Sequence, residues 1–206
     1  MSTVDSLRAF WNARYAAPEF VYGTDTNDFL RQCLDRLPRG QPVLCLADGE
    51  GRNGLWLARQ GFEVTSVDVA DEGLRKARAL AREAGVSIRA VGADLATWNP
   101  GLECWGAIVS IFVHLPPRVR RDLHGRCVRA LAPGGVFVYE GYGEQQLRYG
   151  TGGPKEPELL PQLDELLADF EGCVVEHRFT GVRAVHEGPF HHGDGHVNQF
   201  VARKPA

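Results

Sequence analysis

Apolar runs and amphipathic segments alternate along this chain, and the alternation predicts a β-sheet covered by helices. Five short segments of apolar and alternating apolar residues predict strands at 41–47, 62–69, 87–91, 105–113 and 136–140, and the fourth has the near-continuous apolar run of a strand buried on both faces. Helical spacing of apolar residues predicts helices between them, for example in the segment that opens at Asp71 and closes at Gly85. Strands separated by helices favour an α/β domain with a doubly wound, mostly parallel sheet.

The two ends of the chain depart from this alternation. Segments 173–182 and 196–204 both have strand-like patterns with a Gly/His-rich loop and no helix between them, which predicts a C-terminal antiparallel strand pair. Before the first strand, aromatic residues precede a predicted helix capped by Asn27 or Asp28. We therefore expect a single domain over 1–206, with an N-terminal helical cover over 1–38 and a core over 39–206.

Composition excludes several classes of protein. The 206 residues are 44% hydrophobic with a net charge of -3, which argues against intrinsic disorder. No apolar run approaches the ~20 residues of a membrane helix, and 23 basic against 26 acidic residues do not favour nucleic-acid binding. The five cysteines form no C-x-x-C pair, and the first ten residues contain neither a basic segment nor an apolar run. We therefore expect no disulfides, no signal peptide and a cytoplasmic location.

Candidate chemistry begins at the glycine-rich turn after the first predicted strand. Gly49 and Gly51 allow a ligand to approach the backbone closely, and open α/β sheets bind ligands beyond the carboxyl ends of their strands. Asp68 ends the second predicted strand, where it can accept hydrogen bonds from ribose hydroxyls. Asp94 follows the third, where it can accept one from an adenine amino group. The pattern predicts a nucleotide-like ligand.

Two ligand classes fit this turn. Gly49, Gly51 and Gly54 match the G-x-G-x-x-G pattern of dinucleotide-binding proteins, and Asp68 lies at about the expected spacing. An NAD(P)-linked oxidoreductase is therefore one hypothesis. A Tyr-x-x-x-Lys pair and a second nucleotide-binding half are both missing from the sequence, however, and Asp94 has no clear part in that scheme.

Longer motifs carry a resemblance to a known superfamily. VLCLADGEGRNGLWLA, VTSVD, GADLATW, IVSIFVHLP and LAPGGVFVYE resemble the class I S-adenosylmethionine (SAM)-dependent methyltransferases over nearly the whole chain. FWNARY, YGTDTNDFL and GEGRNGLWLA resemble its small tellurite-resistance and thiopurine S-methyltransferase-like group. The resemblance implies a seven-stranded Rossmann-like fold, SAM as cofactor, and methyl transfer to a small molecule, either a thiol or a tellurium or selenium oxyanion. A SAM-binding protein without turnover is a further alternative.

The resemblance and the strand ends together predict the cofactor-binding residues. These are Ala47, Asp48, Gly49, Glu50, Gly51, Asn53, Asp68, Val69, Asp94, Leu95, Ser110 and Ile111. The superfamily usually has an acidic residue in place of Cys45 and a glycine in place of Ala47. One hypothesis is that Asp48 or Glu50 supplies the missing negative charge to the amino group of the methionine moiety.

Candidates for the methyl-acceptor side follow the fourth and fifth predicted strands and the final hairpin. His114, His191 and Tyr22 are the candidate catalytic residues, Glu140 and Tyr142 are expected to touch substrate, and 151–155 is a candidate lid. Transfer from a sulfonium needs a general base only where the nucleophile must lose a proton.

The final hairpin also concentrates residues of metal-ligand type. They are His186, Glu187, His191, His192, Asp194 and His196. Their spacing matches no standard metal motif, so we expect a solvated or substrate-covering loop and no metal.

Overall fold

One seven-stranded sheet organises the part of the chain that the computed structural model describes, residues 3–188 and 190–206. The strands are β1 (Val43–Leu46), β2 (Val64–Asp68), β3 (Arg89–Gly92), β4 (Trp105–Ile111), β5 (Leu131–Tyr142), β6 (Val174–His186) and β7 (His192–Arg203). The helices are α1 (Thr3–Tyr15), α2 (Asp28–Gln32), α3 (Arg52–Arg59), α4 (Asp71–Glu83), α5 (Pro117–Ala130) and α6 (Leu163–Ala168). None of these helices is long and apolar enough to span a membrane.

The strand order is β3-β2-β1-β4-β5-β7-β6. Strands β1 to β5 are parallel, whereas β7 is antiparallel to both β5 and β6. This confirms the predicted fold class. The order reverses direction between β1 and β4, which is the point where open α/β sheets bind their ligands.

The C-terminal hairpin is longer than the sequence pattern predicts. Pairing of β6 with β7 continues to His186 opposite His192, so the connecting loop contains only 187–191. Gly193 and Gly195 lie within β7 although glycine has a low strand propensity. The cross-strand backbone hydrogen bonds outweigh that local preference. The β6–β7 pairing therefore continues for five further residues of β7 beyond Val197, where the pairing of β7 with β5 ends.

Both faces of the sheet are covered by apolar side chains. Along β1, Val43 and Cys45 pack into one buried cluster, while Leu44 and Leu46 pack into another on the opposite face. This alternation explains why Cys45 is a core residue that is 1% exposed.

Asn27 confirms the predicted helix cap and also reaches the sheet. Its Oδ1 accepts a hydrogen bond from the Leu30 amide at 2.8 Å, as expected of a residue that precedes α2. Its Nδ2 donates to Glu140 Oε1 at 3.1 Å and to Glu187 Oε1 at 2.7 Å. The N-terminal segment is thereby attached to β5 and to the hairpin loop.

Arg183 of β6 joins the same two carboxylates. It donates to Glu140 and, at 2.9 Å, to Glu187, which also pairs with Arg52 of α3. Glu140 is fully buried, and burial raises the pKa of its carboxyl while the charge of Arg183 opposes the shift. Glu140 was expected to touch substrate, and this expectation is wrong because the network occupies its side chain.

Asp48, in the turn after β1, directs its carboxylate into the protein. Oδ2 accepts hydrogen bonds from the Ser66 hydroxyl of β2 and from the Gly54 amide of α3, the latter at 3.2 Å. Burial raises the pKa of Asp48 to about 7, and these hydrogen bonds and the charge of Arg52 only partly offset the effect. The carboxylate therefore joins α3 to the sheet.

We expect the substitution Arg183→Met to lower the free energy of unfolding by about 3–5 kcal/mol, because it leaves two buried carboxylates short of a partner. Arg178→Met, at an exposed position on the same strand, is the matched control and should change it by less than about 0.5 kcal/mol. Urea denaturation monitored by circular dichroism measures both. Equal losses in the two variants would show that the network does not stabilise the fold.

The raised pKa of Asp48 predicts that its contribution to the free energy of unfolding falls as the pH rises. Its pKa is higher in the folded protein than in the unfolded chain, so its favourable contribution is complete below pH ~4 and is lost as the pH passes ~7. Relative to wild type, Asp48→Asn should therefore gain stability between pH 5 and pH 8, by up to a few kcal/mol at about 1.4 kcal/mol per pKa unit. Urea denaturation at both pH values tests this. Asp25→Asn, at an exposed carboxylate, should show no such gain, and a pH-independent difference for Asp48→Asn would contradict the assignment.

Candidate active site

A cavity of about 580 Å³ lies beyond the carboxyl ends of the parallel strands. It falls within the usual size of small-molecule sites, about 300–1,000 Å³. Ten of the twelve predicted cofactor-binding residues line it: Ala47, Asp48, Gly49, Glu50, Asn53, Asp68, Val69, Asp94, Leu95 and Ile111. Tyr22, His114 and His191 line it as well, so the structure brings residues from both predicted halves of the site into one space.

Gly51 and Ser110 are not among the lining residues. A Cβ atom on Gly51 would lie 2.5 Å from the Cβ of Ala77, so this glycine serves the close packing of α3 against α4. Ser110 is 2% exposed within β4, between neighbouring strands. The structure therefore does not support their expected contact with the cofactor, because Gly51 packs against α4 and the side chain of Ser110 is buried within the sheet.

Asp68 holds the glycine turn at the end of β2. Its Oδ2 accepts a hydrogen bond from the Gly49 amide at 2.8 Å, and its Oδ1 accepts one from the Ala70 amide at 2.8 Å. Burial raises the pKa of this carboxyl, and the backbone donors oppose the shift. Each oxygen has a remaining lone pair, so the carboxylate can organise the turn and still accept hydrogen bonds from a ligand.

Two strand ends that border the cavity have left-handed backbone conformations. Ala47, after β1, has φ 44°, and Phe112, after β4, has φ 53°. Non-glycine residues adopt such angles at a conformational cost, and these conformations cluster at functional sites. Because β1 and β4 are neighbours at the reversal of strand order, both turns lie at the same place in the sheet.

The carboxylates of Glu50 and Asp48 both accept hydrogen bonds from other parts of the protein. Glu50 accepts hydrogen bonds from Lys76 Nζ at 2.7 Å and from the Val21 amide at 2.8 Å, so it fastens the N-terminal segment to α4. Asp48 bonds to Ser66, as described above. The hypothesis that either residue replaces the missing acid is not supported, because both carboxylates already have cationic or neutral partners.

Aromatic rings form the other end of the cavity. The ring of His191 lies 4.6 Å from that of Tyr22, 4.7 Å from Phe112 and 5.3 Å from Tyr142. His114 stacks on Tyr142 at 5.7 Å with 9° between the ring planes. The side chains come from the N-terminal segment, the segment after β4, β5 and the hairpin loop, which explains why no local motif predicts this cluster.

Both histidines at this end are held in the neutral form. Burial lowers the pKa of His114 to about 4 and that of His191 to about 3. Neither His114 Nε2 nor His191 Nδ1 has a hydrogen-bond partner among the described residues, although both atoms are buried. Buried polar atoms are normally satisfied. Of the five such atoms without a partner in the described part of the chain, these two belong to residues that line the cavity, where a ligand or water can complete their hydrogen bonds.

Helix α1 closes the cavity, with Trp11, Arg14 and Tyr15 in its lining. A Cβ atom on Gly49 would lie 2.7 Å from the Tyr15 hydroxyl, so the helix rests directly on the glycine turn. Neither Trp11 nor Arg14 is assigned a place in the site from the sequence. The four-residue spacing of Trp11 and Tyr15, whose rings stack at 5.5 Å, was the available signal.

The remaining candidates are dispersed. Residues 152–155 of the candidate lid line the cavity, whereas His196 is buried within β7. In the described part of the chain, no group of three or more His, Cys, Asp or Glu side chains is placed to hold a metal ion.

Comparison with known families finds one match. Residues 43–135 match the profile of a family described as a methyltransferase domain, a range that runs from β1 into β5. Comparison with curated proteins finds no matching sequence.

Solved structures extend the likeness to the whole fold. A protein studied for the conversion of a disulfide bond into a thioacetal group during echinomycin biosynthesis is 17% identical, with a TM-score of 0.78 over 99% of this chain and 92% of that one. A geranyl diphosphate C-methyltransferase from Streptomyces coelicolor, solved with S-adenosyl-L-homocysteine, is 12% identical, with a TM-score of 0.71 and 99% coverage of both chains. TehB from Haemophilus influenzae is 14% identical, with a TM-score of 0.69 over 96% of this chain and 66% of its own.

At these identities each likeness shows the fold alone, so the resemblance to the tellurite-resistance group stays a prediction. Residues 43–135 therefore match a methyltransferase domain, and the chain as a whole has the fold of the solved SAM-dependent methyltransferases to which it is similar.

Proposed function

We propose that this protein transfers the methyl group of SAM to the sulfur of a small-molecule thiol. The observation that carries the proposal is a single cavity with acidic strand ends on one side and two neutral, buried imidazoles among aromatic rings on the other. The proposed cofactor and acceptor positions therefore share one space, as an in-line displacement requires.

The cofactor is proposed to lie over β1 and β2. Asp68 would accept hydrogen bonds from the ribose hydroxyls through its free lone pairs, and Asp94 would accept one from the adenine amino group. Val69, Leu95 and Ile111 offer apolar surface for the adenine ring. Bound SAM supplies a methyl group on a sulfonium, which becomes a neutral thioether after the transfer.

His114 is the residue best placed to take the thiol proton. Its Nδ1 lies 3.3 Å from the Leu159 carbonyl oxygen, which can only accept a hydrogen bond. Nδ1 therefore carries the proton, and Nε2 presents a lone pair. A thiol S–H would supply the missing donor to Nε2. Because the pKa of His114 is about 4, the proton would pass to Nε2 only as the sulfur bonds to the methyl group and the C–S bond to the sulfonium breaks, and no free thiolate would form beforehand.

The acceptor end suits a thiol better than an oxyanion. An oxyanion needs hydrogen-bond donors or positive charge, whereas the imidazoles here are neutral and Nε2 of His114 is an acceptor. Three cationic side chains line the cavity, but Arg52 is paired with Glu187 and Lys155 is exposed to solvent. The third, Arg14, lies over the rings of Phe10 and Phe190 and donates to the Tyr22 hydroxyl at 3.3 Å. The matched protein from echinomycin biosynthesis is also described as acting on a disulfide, which supports sulfur as the first acceptor to test.

The comparisons and the two histidines also argue against the two alternative functions, an NAD(P)-linked oxidoreductase and a SAM-binding protein without turnover. An NAD(P)-linked oxidoreductase would use the same glycine turn, but neither the family match nor the matched structures favour it. A SAM-binding protein without turnover would have no use for the two orphaned imidazole nitrogens beside the cofactor position.

We expect calorimetry to detect binding of SAM and S-adenosylhomocysteine but not of NADH. The substitution Asp68→Asn should weaken SAM binding by about 10- to 100-fold, because a hydrogen bond to a charged group is worth about 1.5–3 kcal/mol. Asp71→Asn, three residues along the chain at the exposed start of α4, is the matched control. Tight NADH binding with none for SAM would contradict the proposal.

Mass spectrometry of products from aromatic and aliphatic thiols, selenite and tellurite tests the acceptor class. We expect thioether formation, with selenite and tellurite unreactive. The substitution His114→Gln should lower kcat by about 10²- to 10⁴-fold, the usual contribution of a general base, while SAM affinity stays within about twofold.

His177→Gln is the control for that substitution, because His177 is half-buried on β6 and does not line the cavity. Methylation of the oxyanions alone, or full activity of His114→Gln with thiols, would overturn the assignment of the acceptor.

A further inference from the structure

Two histidines face each other outside the cavity, at the end of the C-terminal hairpin. His186 of β6 lies directly opposite His192 of β7, with 3.4 Å between their Nδ1 atoms and 4.9 Å between ring centroids. Both are exposed, whereas the other five histidines, all in the described part of the chain, are buried or half-buried.

The 3.4 Å between the two Nδ1 atoms matches the distance between two nitrogen ligands of one metal ion. Two imidazole nitrogens at about 2.0–2.1 Å from a tetrahedral zinc ion are about 3.3–3.4 Å apart. Imidazole is a preferred ligand of zinc, nickel and copper. Register in the strand pair, rather than long flexible side chains, sets the position of the two rings.

We propose that His186 and His192 bind one divalent transition-metal ion, such as Zn²⁺, Ni²⁺ or Cu²⁺, across the hairpin. In the present arrangement one Nδ1 must carry a proton for the two nitrogens to share a hydrogen bond. On metal binding, that proton moves to Nε2 of the same ring, and both Nδ1 lone pairs coordinate the ion. Both rings remain neutral, no redox change is involved, and water completes the coordination.

Asp194 places a negative charge next to this pair. It lies two residues beyond His192 on β7 and so on the same face of the hairpin, about 6.6–6.8 Å along the strand. A nearby carboxylate raises the local concentration of cations. With two protein ligands the site is an open one, consistent with the finding that no three candidate ligands cluster among the described residues.

A metal ion bound by His186 and His192 would link the two ends of loop 187–191, and this loop carries His191 into the cavity. Loop 187–191 connects the two histidines, and within it the Glu187 amide donates to the His191 carbonyl at 2.8 Å. The Glu187 carboxylate is attached to Arg52 and Arg183, and the His191 ring lines the acceptor end. The consequence for catalysis, a more rigid His191, rests on the proposed function, whereas the metal site itself does not.

The experiment uses the full chain without an affinity tag and in the absence of SAM and thiols. Calorimetric titration with Ni²⁺ and Zn²⁺ should show one ion per chain. The variants His186→Asn and His192→Asn should each bind about a hundredfold more weakly, because two linked ligands gain about 10²–10⁴ over one. His177→Asn removes a histidine from the same strand as His186 but opposite Val201, and should leave binding unchanged.

Electron paramagnetic resonance of the wild-type protein with one equivalent of Cu²⁺ tests the site without any substitution. Two coordinated imidazole nitrogens are expected in the spectrum. The proposal is overturned if wild type shows no saturable binding, if the spectrum shows fewer than two nitrogens, or if His177→Asn loses as much affinity as the two hairpin variants. Because none of these measurements involves methyl transfer, their failure is distinguishable from failure of the proposed function.

Discussion

The buried carboxylates of Glu140 and Glu187 hold together the three parts of the chain that surround the cavity. Glu140 belongs to the central part of the sheet and Glu187 begins the hairpin loop, while Asn27 and Arg183 bond to both. A buried carboxylate is tolerated only when it is paired and hydrogen-bonded. The N-terminal segment, sheet and hairpin are therefore held against one another, and Tyr22 and His191 meet in one space as a result.

Burial produces opposite consequences at the two ends of that space. Around Asp68, backbone amides supply the hydrogen bonds that a carboxylate needs, so an acidic group persists beneath the proposed ribose position. Around His114 and His191 the neighbours are aromatic rings, and burial keeps both imidazoles neutral. The acidic end around Asp68 fits the ribose of a nucleoside. The end around the neutral His114 and His191 fits an uncharged nucleophile that still carries its proton.

The positions of the parallel strands, the glycine turn, Asp68 and the Asn27 cap could all be predicted from the sequence, because each depends on a local pattern. The pairing of Arg183 with Glu140 could not, since the partners are separated by 43 residues and meet through strand register. The inward direction of Asp48 depends in the same way on Ser66 of the next strand. The length of the hairpin is underestimated from the sequence because Gly193 and Gly195 have a low strand propensity. Pairing with β6 nevertheless holds this segment of β7 as a strand.

The central claim is that cofactor and methyl acceptor occupy the two ends of one cavity. A crystal structure with S-adenosylhomocysteine and a small aromatic thiol tests it most directly. The account predicts the ribose hydroxyls within hydrogen-bond distance of Asp68, and the thioether sulfur facing a thiol that lies between His114 and His191. A cofactor bound away from Asp68, or a thioether sulfur that points away from the two histidines, would contradict it.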